Sequence, residues 1–416
     1  WPRDQAPGGL DDAANRQAEL IMNEFKQHGL SLIELMVAMT LGLMLLAGLA
    51  VVFANSSQSQ RELQKSAQQI ENGRYAMEAV TQDIHLAGYY GRYSAYADGT
   101  TLPDPCIIGD AAALAAALGV PVQGYVVANQ ASRPDLSATT CGAATLLPNV
   151  NLYPGSDVLV IRRAGTTPLR YPGDGLLPAV ATADTGVSNE VYIQTDPATV
   201  EIQFGAGSTI TPTSRADGVT LATIRKKNGN AESIRKYHVH IYFVAPCSVP
   251  AGSGDVCTGA NDDGGRPIPT LKRLELGVDA SGNRKFNVVA IAEGIEAFKI
   301  EYGIDNSPNS ANSSTQRIGD GAADVYIPNI STAAPTVVDF ANAVSAKVWL
   351  IARNTEPSLG YSDTKTYPVA TSSAVLGAGT VQGTGLVYGP YNDQFKRHSY
   401  FSGLRLTNLS ARRENP

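Results

Sequence analysis

Proline is absent from the whole stretch between Gly29 and Leu102. One uninterrupted helix is therefore permitted there, since an interior proline removes a helical hydrogen bond and costs about 3 kcal/mol. Charge is absent over part of the same stretch, with no Asp, Glu, Lys or Arg between Glu34 and Arg61. Cysteine is scarce. The four present, Cys106, Cys141, Cys247 and Cys257, include no Cys-x-x-Cys and have no nearby His, which argues against a zinc site. No Gly-x-Ser-x-Gly, phosphate loop or dinucleotide fingerprint occurs, so the chain is expected to be no enzyme and to need no cofactor. The net charge is −6, from 32 basic and 38 acidic residues, so no electrostatic case for nucleic acid exists. Arg225-Lys226-Lys227 and Arg412-Arg413 read as solvated surface. No repeat of fixed period is found.

What is present is a long apolar run. It begins around His28-Gly29-Leu30-Ser31, is broken once by Glu34, and reaches Ala54. The 20 residues Leu35 to Ala54 are uncharged and mostly apolar. At ~1.5 Å per residue such a helix crosses a hydrocarbon core of roughly 30 Å. A secretory signal peptide is shorter and carries its cleavage site after the apolar run. Here the candidate cleavage point, Gly29, precedes it. An acid within a span costs on the order of 2.5–3.5 kcal/mol, which marks Glu34 as functional.

Gly29-Leu30-Ser31-Leu32-Ile33-Glu34 resembles the leader signal of type IV pilins and pseudopilins. The resemblance implies that a prepilin peptidase cuts after Gly29, that Leu30 becomes an N-methylated terminus, and that Glu34, at mature position five, guides subunit docking. Leucine at the new terminus departs from the commoner phenylalanine or methionine. Residues 1–21 have mixed charge and no apolar periodicity, and are expected to be an over-extended gene start or a fragment boundary. Met22 to Gly29 would form the short leader. Lys26 and His28 agree with a cytoplasmic N-terminus.

Beyond Ala54 the composition turns polar while helical spacing continues. Leu63, Ile70, Met77 and Ile84 recur every seven residues, with Ala67, Val80 and Ala87 beside them. A coiled-coil arm fits the same spacing. The span upstream favours a single helix from Leu30 to about Ala87, roughly 85 Å long, laying this stripe on a globular domain. Gly88 and Gly91 are stop signals. Asp83-Ile84-His85-Leu86-Ala87-Gly88-Tyr89-Tyr90-Gly91 resembles the helix end of PilW-type minor pilins, with Arg92 where many relatives carry cysteine.

The rest is rich in Gly, Pro, Ser, Thr and Asn with short alternating runs, which predicts β structure. Strands are expected at Val158–Arg162, Val191–Gln194, Val200–Phe204, Val239–Val244, Leu271–Leu276, Phe286–Ile291, Phe298–Tyr302, Ala346–Arg353 and Tyr400–Thr407. Asp279 to Asn283 reads as a hairpin turn and residues 110–118 as a short helix. The stretches 205–217 and 304–324 read as insertions or boundaries. Gly155 to Leu159, Ala292 to Asp305 and Val344 to Arg353 also resemble PilW-type proteins; the middle one carries Glu293-Gly294-Ile295-Glu296 leading to Tyr302-Gly303-Ile304-Asp305.

The cysteines all follow the span, where an oxidising compartment permits disulfides. Of three pairings, Cys106–Cys141 and Cys247–Cys257 are expected, because each would pin one loop. His238-Val239-His240 offers two imidazoles but no third ligand, and reads as an exposed strand face. Asp255 with Asn261-Asp262-Asp263 lacks a calcium-loop consensus and reads as a solvated turn; Asp279-x-Ser281-x-Asn283 lacks the closing Glu, with Ala290 in its place.

The expected fold is α+β: a long N-terminal helix packed on an antiparallel, β-rich periplasmic domain. The expected division is a leader (1–29), a transmembrane part (30–54), an amphipathic half (55–90) and a β-rich region (91–416) with room for two subdomains. The resemblance implies a minor pilin of a Gram-negative inner membrane and pilus, concerned with assembly, adhesion or twitching motility. Its partners would be the prepilin peptidase, other major and minor pilins, and membrane lipid. The rival readings are a minor pseudopilin of type II secretion and a tip adhesin.

Overall fold

The computed structural model describes residues 31–93, 101–143, 146–169, 189–204, 232–305, 319–327, 337–370, 374–376, 379–381 and 385–414. The stretch 205–217 and most of 304–324 lie outside them. One helix, α1, runs from Leu32 to Leu86 without a break. The chain divides into two units, Trp1–Leu63 and Gln64–Pro416, so α1 belongs partly to each.

In the first unit the apolar side chains from Leu32 to Phe53 are exposed. α1 is long and apolar enough to cross a membrane.

The second unit is built on two antiparallel sheets. The first contains β1 (Val122–Tyr125), β2 (Val158–Pro168), β3 (Val191–Thr195), β4 (Val200–Phe204), β5 (Ile234–Ala245), β6 (Thr270–Val278) and β7 (Arg284–Glu293). Its order is β1-β2-β5-β3-β4, with β6 joining β5 and β7 beyond β6. The second sheet contains β8 (Ile295–Ile304), β9 (Val325–Ile327), β10 (Ala343–Arg353) and, after four short strands, β15 (Arg397–Arg405), in the order β15-β10-β8-β9. The four are β11 (Tyr367–Pro368), β12 (Ala374–Leu376), β13 (Gly379–Val381) and β14 (Val387–Tyr388), which form two small ladders. All nine expected strands are present, most of them longer than expected. The arrangement is α+β.

Local chemistry accounts for several junctions. Asp110 caps the helix Ala111–Ala116 by accepting the N–H groups of Ala112 and Ala113. Asp279 accepts from Ser281 and Asn283, and Gly282 at φ 79° closes the β6–β7 hairpin. The chain passes from one sheet to the other at Gly294. Its φ is 76°, and a Cβ there would strike the Arg353 carbonyl. Only glycine suits both conditions.

Three cores result. Between helix and sheets lie Ala76, Val80, Ile84 and Ala87 with Ile161, Val244, Phe298, Ile300 and Leu350. Behind the first sheet lie Val160, Tyr237, Ile241, Phe243 and Phe286, together with both disulfides, Cys106–Cys141 and Cys247–Cys257. Behind the second sheet lie Trp349, Ile351, Tyr367 and Tyr388. Covered on both faces, β5 and β8 are buried along most of their length.

The face of α1 that meets the sheets keeps the later part of the apolar stripe read from the sequence, with Val80, Ile84 and Ala87 buried and Met77 packed against the core, and departs from it upstream. Leu63 and Ile70 are exposed, and the buried positions are Gln69, Gly73, Ala76, Val80, Asp83 and Ile84. From Gln69 to Ala76 the seam keeps the expected period but is rotated by about one position. It is made of small and polar residues because the backbones approach closely and their free carbonyls need donors. Gln69 Nε2 donates to the Ala352 and Lys396 carbonyls at 2.7 and 2.9 Å, and Asn72 Nδ2 to the Glu293 carbonyl at 3.0 Å. The Tyr400 ring rests where a side chain at Gly73 would stand, and its hydroxyl donates to the Ile70 carbonyl.

Gly73→Leu should therefore lower stability by about 1–3 kcal/mol through overpacking. Adding Tyr400→Ala should return part of that loss, read as a rise in the urea midpoint of the double variant over Gly73→Leu alone.

Candidate assembly site

The sequence-derived acid stands in the first turn of α1. Ser31 precedes the helix, and the two residues cap each other. The Ser31 hydroxyl accepts the Glu34 N–H at 3.1 Å, and Glu34 Oε2 accepts the Ser31 N–H at 3.0 Å. This is a capping box, and the positive end of the helix dipole favours the carboxylate there. Ser31-Leu32-Ile33-Glu34 spells the Ser-x-x-Glu pattern, so the signal for this cap stands in the sequence. A little further on, the Thr40 hydroxyl donates to the Val37 carbonyl at 2.9 Å and so needs no solvent partner. Gly29 and Leu30 lie outside the described residues.

A second cluster holds the far end of α1 to the first sheet. Asp83 is buried and accepts from three side chains: Arg163 Nε at 2.6 Å, His240 Nδ1 at 2.5 Å and the Tyr242 hydroxyl at 3.0 Å. Arg163 stands on β2; His240 and Tyr242 stand on β5. Arg273 Nη1 donates to the Tyr242 hydroxyl at 3.0 Å and the guanidinium also pairs with Glu275. Burial works against the Asp83 charge, yet His240 and Arg163 outweigh it and hold the carboxyl well below its usual range. Beside the network a cleft of about 320 Å³ opens between Tyr75, Ala79 and Leu86 of the helix and Arg163 and Arg273 of the sheet.

The two histidines depart from the expected exposed strand face. They do share a side, with ring centroids 5.4 Å apart, but His240 is buried beneath α1. Burial, with Arg163, His240 and Lys236 nearby, pushes His238 down to about 3, so it is neutral at pH 7. The expected solvated turn holds for Asp255 and Asn261, which are exposed, and is corrected at the two acids that follow. Asp262 is buried and accepts from Ala251, Thr258 and Gly259, while Asp263 accepts from Ser248, Val249 and Ile268. Both carboxylates point inward to order the loop. Cys247, Cys257 and Asp262 cluster closely enough to suit a metal ion. The sulfurs are spent on each other and the acid on loop amides, so the group does not fit one.

Two more buried charge clusters draw members from stretches that resemble PilW-type proteins, Asp157 and Lys299 in one and Glu296 in the other. Lys299 Nζ sits 2.5 Å from Asp157 Oδ1 and donates to the Val127 carbonyl, while Asp157 also accepts from Val127 and Ile300. Arg397, whose side chain is wholly buried, binds Glu296 at 2.5 Å, Asp363 at 2.9 Å and Asp393 at 2.6 Å.

A protein-family model described as the prokaryotic N-terminal methylation motif matches residues 25–50. A second, described as PilW, Type IV Pilus-assembly protein W, matches residues 257–408, which run from the Cys247–Cys257 disulfide through β15. No curated protein and no solved structure matches the chain.

Asp83→Asn should cost about 3–5 kcal/mol, since it strips a buried cation pair of its anion. The pH sign follows from the depressed carboxyl. Its contribution is complete above the ordinary value of 3.8 and is lost as pH falls further. The stability gap between wild type and Asp83→Asn should therefore narrow on acidification below about pH 4, measured by urea unfolding at a series of pH values.

Proposed function

The chain is a type IV pilin-like protein, and we propose that it is a minor pilin which enters the pilus base or tip and helps start assembly. The observation that carries this reading is Glu34 in the first turn of an exposed apolar helix, inside the methylation motif. The PilW match over the second half supports it. In this proposal residues 1–29 are the leader, removed by prepilin peptidase after Gly29, and Leu30 is the N-methylated terminus. Residues 30–54 sit in the inner membrane of a Gram-negative bacterium, with the N-terminus cytoplasmic and residues 91–416 periplasmic.

The mechanism is an exchange of partners. In the isolated chain the Glu34 carboxylate takes a backbone N–H from Ser31. In lipid, the methylated amine of a neighbouring pilin is a stronger partner, because a charge-assisted pair in low dielectric gains more than a neutral donor provides. Helices then register with one subunit's terminus beside the next subunit's acid. The β-rich unit acts as a structural body, with its four cysteines joined in two disulfides. Its role is to hold α1 and to meet other pilins, rather than to catalyse a reaction.

Two measurements test the proposal. Mass spectrometry of the mature protein should find a methylated Leu30 as the first residue, and Gly29→Leu should leave the precursor uncut. Glu34→Val should keep membrane insertion and cutting, and should lose most surface piliation and pilin–pilin association at native expression. Ordinary piliation with Glu34→Val would remove the assembly role from this residue and favour the tip-adhesin reading.

A further inference from the structure

The two disulfides leave the second sheet without a covalent tie. All four cysteines precede β8, and both bridges pack behind the first sheet. One polar contact between the sheets has the components of such a tie. Asp157 stands one residue before β2 of the first sheet, and Lys299 stands on β8 of the second. Both side chains are buried. The pairs Lys65 with Glu356 and Lys236 with Glu190 differ, since each has a member open to solvent. The buried arginines, Arg162 and Arg397, stay protonated and cannot serve as nucleophiles. Lys299 Nζ lies 2.5 Å from Asp157 Oδ1 and 2.9 Å from the Val127 carbonyl oxygen. Backbone donors hold the carboxyl from both sides, the Val127 N–H on Oδ1 at 2.9 Å and the Ile300 N–H on Oδ2 at 3.0 Å. Amine and carboxyl are thus kept as neighbours for as long as the chain is folded, which is the source of high effective concentration in intramolecular reactions. Burial raises the Asp157 carboxyl above its usual range and outweighs Lys299 and the N–H donors, so the protonated form is favoured.

We infer that Lys299 and Asp157 condense in the folded chain to an intramolecular amide, a covalent cross-link between the two sheets. One Nζ proton passes to Oδ1, which leaves a neutral amine beside a neutral acid. The Nζ lone pair attacks Cγ and forms the Cγ–Nζ bond. The charge that develops on Oδ2 meets the Ile300 N–H, placed as an oxyanion donor. A second Nζ proton passes to Oδ1, the Cγ–Oδ1 bond breaks, and one water leaves. The carbonyl re-forms at Oδ2. Nothing is oxidised or reduced, and no co-reactant is consumed. The proton that Nζ keeps still donates to the Val127 carbonyl, and Oδ2 still accepts from Ile300, so the product retains contacts the pair already has. Asp157 has no exposed surface, and exclusion of water protects the amide from hydrolysis. The bond joins positions 142 residues apart and holds them independently of pH and of any reductant that opens the disulfides. The inference rests on the β-rich unit alone and stands apart from the role of Glu34.

The test is mass spectrometry of the full-length chain, purified in detergent, denatured and reduced before analysis. A protease digest of the wild type should contain a branched peptide that joins the segments around 157 and 299, lighter by one water than the sum of its two parts. Lys299 should take no acetyl label after denaturation. Lys299→Arg keeps the cation and cannot form the bond, so its digest should contain the two segments separately, each at full mass. Should that variant fail to fold, the wild-type digest decides alone. A wild type with no branched peptide and an acetylated Lys299 overturns the inference. So does a loss of water that persists in Lys299→Arg, because it then lies elsewhere in the chain.

Discussion

A single buried carboxylate decides how the long helix meets the β-rich unit. Asp83 lies on the inward face of α1 and accepts from Arg163, His240 and Tyr242, which belong to two adjacent strands. Its burial would be costly alone, and three converging donors offset that cost. The same geometry fixes the helix in rotation and along its axis, because no other rotation points position 83 at both strands. Nonpolar contacts at Val80 and Ile84 contribute more free energy, roughly 1.5–3 kcal/mol each. They are tolerant of small slides, however, whereas the polar contacts are not.

The same principle recurs across the unit. Asp157 with Lys299 sits behind the second sheet near its middle, and Arg397 with Glu296, Asp363 and Asp393 draws β8, β15 and the intervening loops together. Removing one member of such a cluster is costly, while replacing a whole cluster by apolar residues need not be. These charges thus specify one arrangement of strands more than they add net stability. Glu296 and Lys299 occupy the stretch Ala292 to Asp305, and Asp157 the stretch Gly155 to Leu159. The segments that resembled PilW-type proteins in sequence thus contribute to both clusters, alongside buried Asp363 and Arg397 from outside them.

The strands were legible because β-branched and aromatic runs between turn residues have few other uses. The disulfide partners followed a simpler logic, each closing the loop nearest to it. The seam of α1 was legible at Val80, Ile84 and Ala87 and was misread upstream of them for a physical reason. Hydrophobic periodicity finds the apolar face of a helix, but close approach over a sheet calls for small residues. Strand-end carbonyls call for amide donors, so Gly73, Ala76, Gln69 and Asn72 line the contact. His240 was misread likewise, since strand alternation gives the side of a residue and not what covers it. Of the candidate site, Glu34 was legible from its isolation in an apolar run. Its reciprocal cap with Ser31 was equally legible from a four-residue spacing.

The order in which this chain can close follows from where its contacts reach. Gln69 pairs with carbonyls 283 and 327 residues away. At the other end of the helix, Asn408 Nδ2 donates to the Ala87 carbonyl across 321 residues, and Leu409 packs over Gly88 where the helix has just ended. Asn408 Nδ2 also donates to the carbonyl of His85, in the last turn of α1, where carbonyls have no partner within the helix. They are satisfied by the segment Thr407–Glu414, which follows the final strand. Both ends of the seam are therefore joined to segments 283 to 327 residues further along the chain. Contacts of such separation incur loop-closure entropy before any reward arrives. The seam that closes across this separation is set by Gln69, Asn72 and Asp83 at its polar positions and by Val80 and Ile84 at its apolar ones, so the polar contacts choose the alignment in which the apolar ones are buried.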